Sequence, residues 1–270
     1  MCLYPTLRRN KKYEKNKKNG GIIPPVLDTR VLYVPTACGN CLECRKKKAR
    51  EWTIRLQEDI KGQVKKRFIT LTLSNESYNE LYAISEKKTL ERIEKLKTLG
   101  LDEHDKKKRL SNEYIKLRGY KKENEIITLA VRRFMERWRK EHKVSLRHWL
   151  VSELGGNGTE NIHLHGIVYT DDLEKVEKLW KYGYVWKGKV INGKLQNYVN
   201  DRTINYMVKY ISKIDFKHEY YKPIILNSAG IGANYEKSRN FEDNRYIAGK
   251  TNEMLRLLIV TGKQIGRAHV

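Results

Sequence analysis

The sequence predicts an α+β domain built on a central, mainly antiparallel sheet with flanking helices. Three observations carry this. Arg67–Ser74 (RFITLTLS) alternates and is β-branched, the two-residue period of a strand, and His148–Leu154 (HWLVSEL) and Asn161–Tyr169 (NIHLHGIVY) both read as strands. The second and third are separated only by GGNGTE, turn chemistry that makes them a hairpin. Helical stretches are mixed among the strands without the strict alternation of a doubly wound parallel sheet.

Taken in order, residues 1–42 carry Pro5, Pro24, Pro25, Pro35 and the Gly20-Gly21 pair. They read as loop and turn, with a short strand at Val31–Val34. From Glu43 to Lys61 the pattern is helical, with Ala49, Trp52, Leu56 and Ile60 on one side. Residues 75–124 form a Lys/Glu-rich insertion of one or two exposed helices, broken near Gly100. Ile127, Val131, Phe134 and Trp138 then mark an amphipathic helix over 125–142. Asp171–Trp180 is a short helix opened by an Asp cap. YGYVWKGKVINGK, beginning at Tyr182, suggests a further strand or hairpin, and Arg202–Ile214 is helical. Beyond Pro223 strong periodicity is lost, and no internal repeat is found. The chain divides into a Cys-rich segment with its basic helix (1–62), a main domain (63–250) and a C-terminal tail (251–270). The last six residues, IGRAHV, read like one frame of a common sequencing adapter. The natural chain is therefore expected to diverge near Gln264 and to continue.

Fifty-six Lys+Arg against 32 Asp+Glu give a formal charge of +24, which points to a polyanion: nucleic acid first, an anionic membrane surface second. A solvated Lys-rich surface is the plain alternative. No apolar run approaches the ~18–20 residues of a membrane span, and no secretory signal opens the chain. Cys38, Cys41 and Cys44 lie at three-residue spacing, with Cys2 far upstream. The spacing leaves structural zinc, reduced thiols and a disulfide open; Cys2 as a fourth ligand is not specified by it. Arg45, Lys46, Lys47, Lys48 and Arg50, at the start of the following helix, are placed to track a DNA backbone or to line a solvated face. Lys181, Tyr182, Tyr184, Trp186, Lys187 and Lys189 interleave cations with aromatics, a mixture suited to stacking unpaired bases. It equally suits a hairpin packed on the core.

The chemistry is expected elsewhere. His163 and His165, two apart on a strand, face the same side. Glu153, on the preceding hairpin strand, can complete a His/His/Glu set that keeps open positions and suits Mg²⁺ or Mn²⁺ acting on a phosphate oxygen. A cupin site would want a carboxylate where Tyr169 and Thr170 stand, and is excluded. On the helix containing INYMVKYISK, Tyr206, Lys209, Tyr210 and Lys213 share one stripe, opposite Ile204, Met207, Val208 and Ile211. The apolar side is expected on the sheet and the Tyr/Lys stripe in a cleft. A phenol is a competent nucleophile toward an activated phosphate, and nearby ammonium groups favour the phenolate. A surface helix with two amphipathic tyrosines is the bland alternative.

HLH on a strand followed by YMVKYISK on a helix resembles the two-tyrosine branch of the HUH endonucleases, and FITLTL resembles their first motif. The order CGNCLECRKKKAREW, FITLTLS, SELG, HLH, YMVKYISK and NSAGIGANY is similar to replication initiators of gokushovirus-type microviruses, small single-stranded DNA phages, over most of residues 1–250. That resemblance implies an HUH/RRM-like sheet. It implies Tyr206 and Tyr210 as nucleophiles with Lys209 and Lys213 as electrostatic partners, and His163 and His165 as metal ligands with Glu153 as the third. It also implies nicking of single-stranded origin DNA through a 5′-phosphotyrosine, host helicase and polymerase as partners, and action in the bacterial cytoplasm. A non-catalytic phage DNA-binding protein, or a transposase or relaxase of the same class, are the alternatives.

Overall fold

The computed structural model describes residues 2–155, 161–213 and 221–237; the rest of the GGNGTE turn after Gly155 and the 251–270 tail lie outside them. A two-stranded ribbon, β1 (Thr6–Arg9) with β2 (Tyr33–Thr36), leads into α1 (Leu42–Lys61) and β3 (Arg67–Thr72). Three helices follow: α2 (Asn75–Thr98), α3 (Glu103–Ile115) and α4 (Gly119–His142). The hairpin β4 (His148–Leu154) and β5 (Ile162–Val168) comes next, then α5 (Leu173–Trp180), β6 (Val185–Trp186), the small hairpin β7 (Lys189–Ile191) and β8 (Lys194–Gln196), α6 (Asp201–Ser212) and β9 (Ile225–Asn227). The central sheet is antiparallel throughout, in the order β6-β3-β5-β4-β9. The fold class is α+β, with six helices among the described residues.

Strand alternation sends two sets of side chains to opposite faces. Ile69, Leu71, Leu150, Leu154, Leu164 and Val168 pack with Phe134, Trp138 and Trp180 of α4 and α5. Phe68, Trp149, Val151 and Ile167 pack with Leu56 and Ile60 of α1 and with Ile204, Met207, Val208 and Ile211 of α6. The histidine strand thus runs through the middle of the sheet, with α1 and α6 on the histidine face. Gly166 is required there, since a Cβ would stand 2.0 Å from the Trp149 carbonyl oxygen.

Several elements differ from expectation. The N-terminal segment contains a strand, β1, that its composition hides. The break near Gly100 falls between α2 and α3, but α2 is not simply exposed: Leu81, Ser85, Thr89 and Ile93 are buried in it. Helix α4 begins at Gly119 because Lys122 and Asn124 face inward, the ammonium 4.1 Å from the Tyr82 ring centre and the Asn124 amide donating to the Lys222 carbonyl. β9 pairs with β4 without any periodic signal.

Asp59, buried on α1, ties the sheet to the Gly-rich segment after β9. Its carboxylate accepts from Arg147, from the Tyr169 hydroxyl at 2.5 Å and from the Gly232 N–H at 3.0 Å. Gly232, at φ +68°, lies against Arg55, whose Cβ would be 2.6 Å from an added Cβ. Asp59→Ala leaves three donors without their acceptor, and is expected to cost about 3–5 kcal/mol. The check is urea unfolding, where the midpoint should fall at unchanged slope; an unchanged midpoint would remove Asp59 from any bracing role.

Candidate active site

The β4–β5 register places Glu153 opposite His163, and Thr70 and Thr72 of β3 opposite His165 and His163 on the other side. The carboxylate nevertheless turns to the diagonal neighbour. Glu153 Oε2 lies 3.0 Å from His165 Nε2, and Oε1 accepts from Lys213 Nζ at 2.6 Å. A carboxylate only accepts, so Nε2 carries the imidazole proton, and Nδ1 accepts from the Thr70 hydroxyl at 3.0 Å. Burial raises the Glu153 pKa, but the hydrogen bonds and charges of His165 and Lys213 outweigh it and hold the carboxyl below its ordinary value. His163 is pulled below the usual histidine range, first by burial. Its Nδ1 is buried without a hydrogen-bond partner, and its ring stands 6.4 Å from that of His165 at 82°.

These residues fit a divalent cation incompletely in the geometry shown. The 3.0 Å separation of His165 Nε2 and Glu153 Oε2 is the edge of an octahedron with bonds of about 2.1 Å. The Thr70 contact fixes the ring as an outer-shell partner would, and the orphaned His163 nitrogen is an unused donor. However, His163 does not converge on the pair: among the described residues, the one group of three or more His, Cys or acidic side chains with all ligand atoms within 4.8 Å is the four cysteines.

Helix α6 starts with a capping box in which Asn200 Oδ1 accepts from the Thr203 N–H at 3.0 Å. Its apolar side packs as the spacing predicts, but its two tyrosines part company. Tyr206 is 42% exposed, edge-on to Phe68 and His165. Tyr210 is only 6% exposed. Its ring lies parallel on His165, 4.6 Å away at 11°. The expectation that the whole stripe faces a cleft therefore holds for Tyr206 and not for Tyr210, whose phenyl face serves as core against the sheet. Burial, then the neighbouring Tyr206 hydroxyl and the Glu153 charge, push the Tyr210 phenol above its ordinary value. Lys209 Nζ stands 4.3 Å from the Tyr206 ring centre and 5.4 Å from that of Tyr210. Lys213 lies just past the helix, is the ion-pair partner of Glu153, and is 5.8 Å from the Tyr210 ring. It is therefore first a partner of the carboxylate.

The remaining candidates divide. Arg45 is buried, donating to the Asn40 carbonyl and side chain, so it is not presented to a DNA backbone. Lys46 and Lys47 are exposed beside Glu43 and Glu51. Burial first, and then Lys222, hold the half-buried Lys48 ammonium below its ordinary value. Arg50 and Lys181 are exposed. Tyr182 is core, edge-on to Trp180, whereas Tyr184 is 64% exposed. Trp186 packs against Phe68, and Lys187 pairs with Glu177.

Cys2, Cys38, Cys41 and Cys44 converge. The Cys2–Cys41 and Cys38–Cys44 sulfurs are each 3.9 Å apart, close to the ~3.8 Å edge of a tetrahedron with ~2.3 Å zinc–sulfur bonds and far from the ~2.05 Å of a disulfide. Four clustered cysteines with these spacings could hold a zinc ion.

Sequence reasoning missed Thr70, which orients His165, and Tyr198, which is exposed beside α6. Thr70 had a signal, since its place on the FITLTL strand alternates with the buried Ile69 and Leu71. No helix of the described residues is long and apolar enough to cross a membrane. No curated protein and no solved structure matches the chain. Residues 66–215 match the family described as Replication-associated protein ORF2/gene 2 protein, a span that runs from β3 through α6 and so contains the histidine strand, Glu153 and both tyrosines. The chain belongs to this family of replication-associated proteins.

Proposed function

We propose that the protein initiates rolling-circle replication of a small single-stranded DNA phage, of the microvirus type, by nicking origin DNA and holding the cut end on a tyrosine. The observation that carries this is the contact between helix α6 and the histidine strand: both tyrosine rings stand against His165, with Glu153 and two lysines around them. A solvated surface helix has no reason to bring these groups together.

The tyrosine oxygen attacks the phosphorus. The bond from phosphorus to the 3′ oxygen breaks, leaving a 5′-phosphotyrosine and a 3′ oxygen that takes up a proton to become a 3′-OH. The phenol proton is lost on attack, and Lys209, over both rings, favours the resulting charge. His163, His165 and Glu153 would hold Mg²⁺ or Mn²⁺, with Thr70 keeping the His165 ring in place. Such an ion, when bound, polarises the phosphate oxygen. The free 3′-OH is the end a host polymerase extends behind a helicase in the bacterial cytoplasm. Reversal of the step by a second 3′-OH rejoins the strand. The four cysteines hold a structural zinc.

The experiment uses a randomised single-stranded oligonucleotide pool and Mn²⁺, read on a denaturing gel. A 3′-labelled pool should yield a labelled protein band, and a 5′-labelled pool only released fragments. Absence of any adduct with either label would instead leave a non-catalytic DNA-binding protein. His163→Ala is expected to lower adduct yield by more than the ~10–100-fold cost of losing an outer-shell partner, while salt-dependent DNA binding stays within about twofold. Undiminished adduct from this variant takes His163 out of the site.

A further inference from the structure

On the Tyr206 side of the site the sheet edge opens into a groove of about 890 Å³ that also reaches His163. Its walls carry Tyr184 and Trp186 from the β6 edge, Lys189 from the β7–β8 hairpin, and Tyr198, Arg202 and Tyr206 from the entry to α6. Tyr184 is 64% and Tyr198 66% exposed. Two such rings flanking one groove are a concentration of exposed aromatic surface that a folded chain normally covers.

Their backbones are firmly held, so the exposure is not a frayed edge. The Thr72 N–H donates to the Tyr184 carbonyl at 3.0 Å, and the Tyr184 N–H donates to the Thr72 hydroxyl at 3.1 Å. The Tyr198 carbonyl accepts from Thr203 of the α6 cap at 3.1 Å. Next to it, the Asn197 amide donates to the Phe68 and Lys187 carbonyls, both at 2.6 Å, and accepts from the Phe68 N–H at 2.8 Å. This clamp fixes the root of the hairpin to β3. The cations at the rim are available: among the described residues neither Lys189 nor Arg202 has a carboxylate partner, whereas Lys187 close by is tied to Glu177.

We infer that this groove seats unpaired nucleotides of a DNA single strand beside the phosphate presented to Tyr206, with bases stacked on Tyr184 and Tyr198 and phosphates met by Lys189 and Arg202. The inference rests on the proposed nicking function for its position, and on the groove itself for its ligand. Pre-fixed aromatic rings bind bases of any sequence through their π faces. Rim lysine and arginine add a salt-dependent contribution from phosphates. A duplex hides its bases and does not fit this description.

The test is fluorescence anisotropy with labelled oligo(dT), an abasic strand of equal length, and a duplex of equal length, all without added Mg²⁺ or Mn²⁺ so that no strand is cut. The wild type should bind oligo(dT) more tightly than the abasic strand. Tyr184→Ala/Tyr198→Ala should weaken oligo(dT) binding by about tenfold or more and leave abasic-strand binding and Tm unchanged. Tyr184→Phe/Tyr198→Phe should bind like wild type, because stacking needs the ring and not the hydroxyl. Arg202→Gln should weaken oligo(dT) and the abasic strand alike. Equal wild-type affinity for oligo(dT) and the abasic strand would overturn the inference, as would unaltered oligo(dT) binding by the alanine pair. Base-dependent binding without any covalent adduct would leave the groove standing and reject the nicking function; an adduct with a silent alanine pair would do the reverse.

Discussion

Tyr206→Phe is expected to abolish the first covalent DNA adduct, and Tyr210→Phe to preserve it. The two tyrosines lie one helical turn apart on α6 and are chemically identical, so the distinction comes from their surroundings. Tyr206 is 42% exposed and lines the groove that His163 also reaches. Tyr210 is buried under α6 with its ring parallel on His165. The space beside it, bounded by Glu153, Lys213 and Tyr221, is about 20 Å³, room for roughly one water. A phosphodiester fits the groove and not that pocket. Loss of a nucleophile acts on a scale of roughly 10⁴-fold or more, so the Tyr206 variant should show no adduct above background in a single-turnover reaction. Removing only a hydroxyl keeps the ring contacts with Phe68 and His165, and the fold with them. Tyr210→Phe should keep first cleavage within a few-fold of wild type while losing a second cleavage, made by Tyr210 with the first product still bound, that frees the 3′-OH for rejoining. Time courses on the 3′-labelled pool separate the two. Adduct at wild-type yield from Tyr206→Phe, or none from Tyr210→Phe, would reverse the assignment.

How far the sequence could be read depends on whether each signal was local. The β4–β5 hairpin is legible because a Gly/Asn turn separates two strand-like runs, but both strands are buried on both faces, so their register comes from the pairing and not from the hydrophobic pattern. That register also brings Glu153 to the histidine pair, although no strand pattern says that the carboxylate would choose His165 over the directly opposite His163. That choice depends on Lys213, 60 residues on, which holds the second carboxylate oxygen. On α6 the spacing of Ile204, Met207, Val208 and Ile211 identifies the buried side. It fails at Tyr210, since a phenol counts as polar on a helical wheel and behaves as an aromatic surface once its ring meets another. The basic run before Trp52 reads as one outward face, tracking a DNA backbone or simply solvated, yet Arg45 turns inward to Asn40. The Asp59 network was illegible for a different reason: its partners lie 88, 110 and 173 residues away, beyond any local pattern.

Removal of zinc is expected to release the N-terminal segment without melting the central sheet. Residues 6–9 and 33–36 form a ribbon with almost no buried side chain, and Leu7, Ile22 and Leu27 are exposed. No hydrophobic core therefore holds this segment against its chain entropy. What does join it to the domain is the cysteine cluster, which brings Cys2 to the start of α1. The sulfurs are set up as thiolate acceptors: Cys38 and Leu3 N–H groups point at Cys2 and Cys41 at 3.3 and 3.4 Å, and the Asn40 and Cys41 N–H groups at Cys38 at 3.4 and 3.3 Å. The Leu3 N–H bond is the chief cause that lowers Cys41 to about 6, whereas burial and the neighbouring sulfurs push Cys44 up to about 12. Without a cation the cluster cannot carry four negative charges, so binding must release protons and tighten as pH rises. Structural zinc sites in small peptides supply an apparent ~10–16 kcal/mol at neutral pH, ample to order a segment with no core of its own. Purified protein should contain one zinc per chain, released by a chelator or by a thiol-modifying reagent. After release, limited proteolysis should cut within residues 2–41 while the main thermal transition moves little. Cys38→Ser should reproduce both effects, and cobalt substitution should give the intense thiolate charge-transfer bands of a four-sulfur site. Protein purified with zinc supplied but holding none, with all four thiols open to alkylation in the native state, would show that the cluster is a reduced thiol group and that the ribbon is held by other contacts.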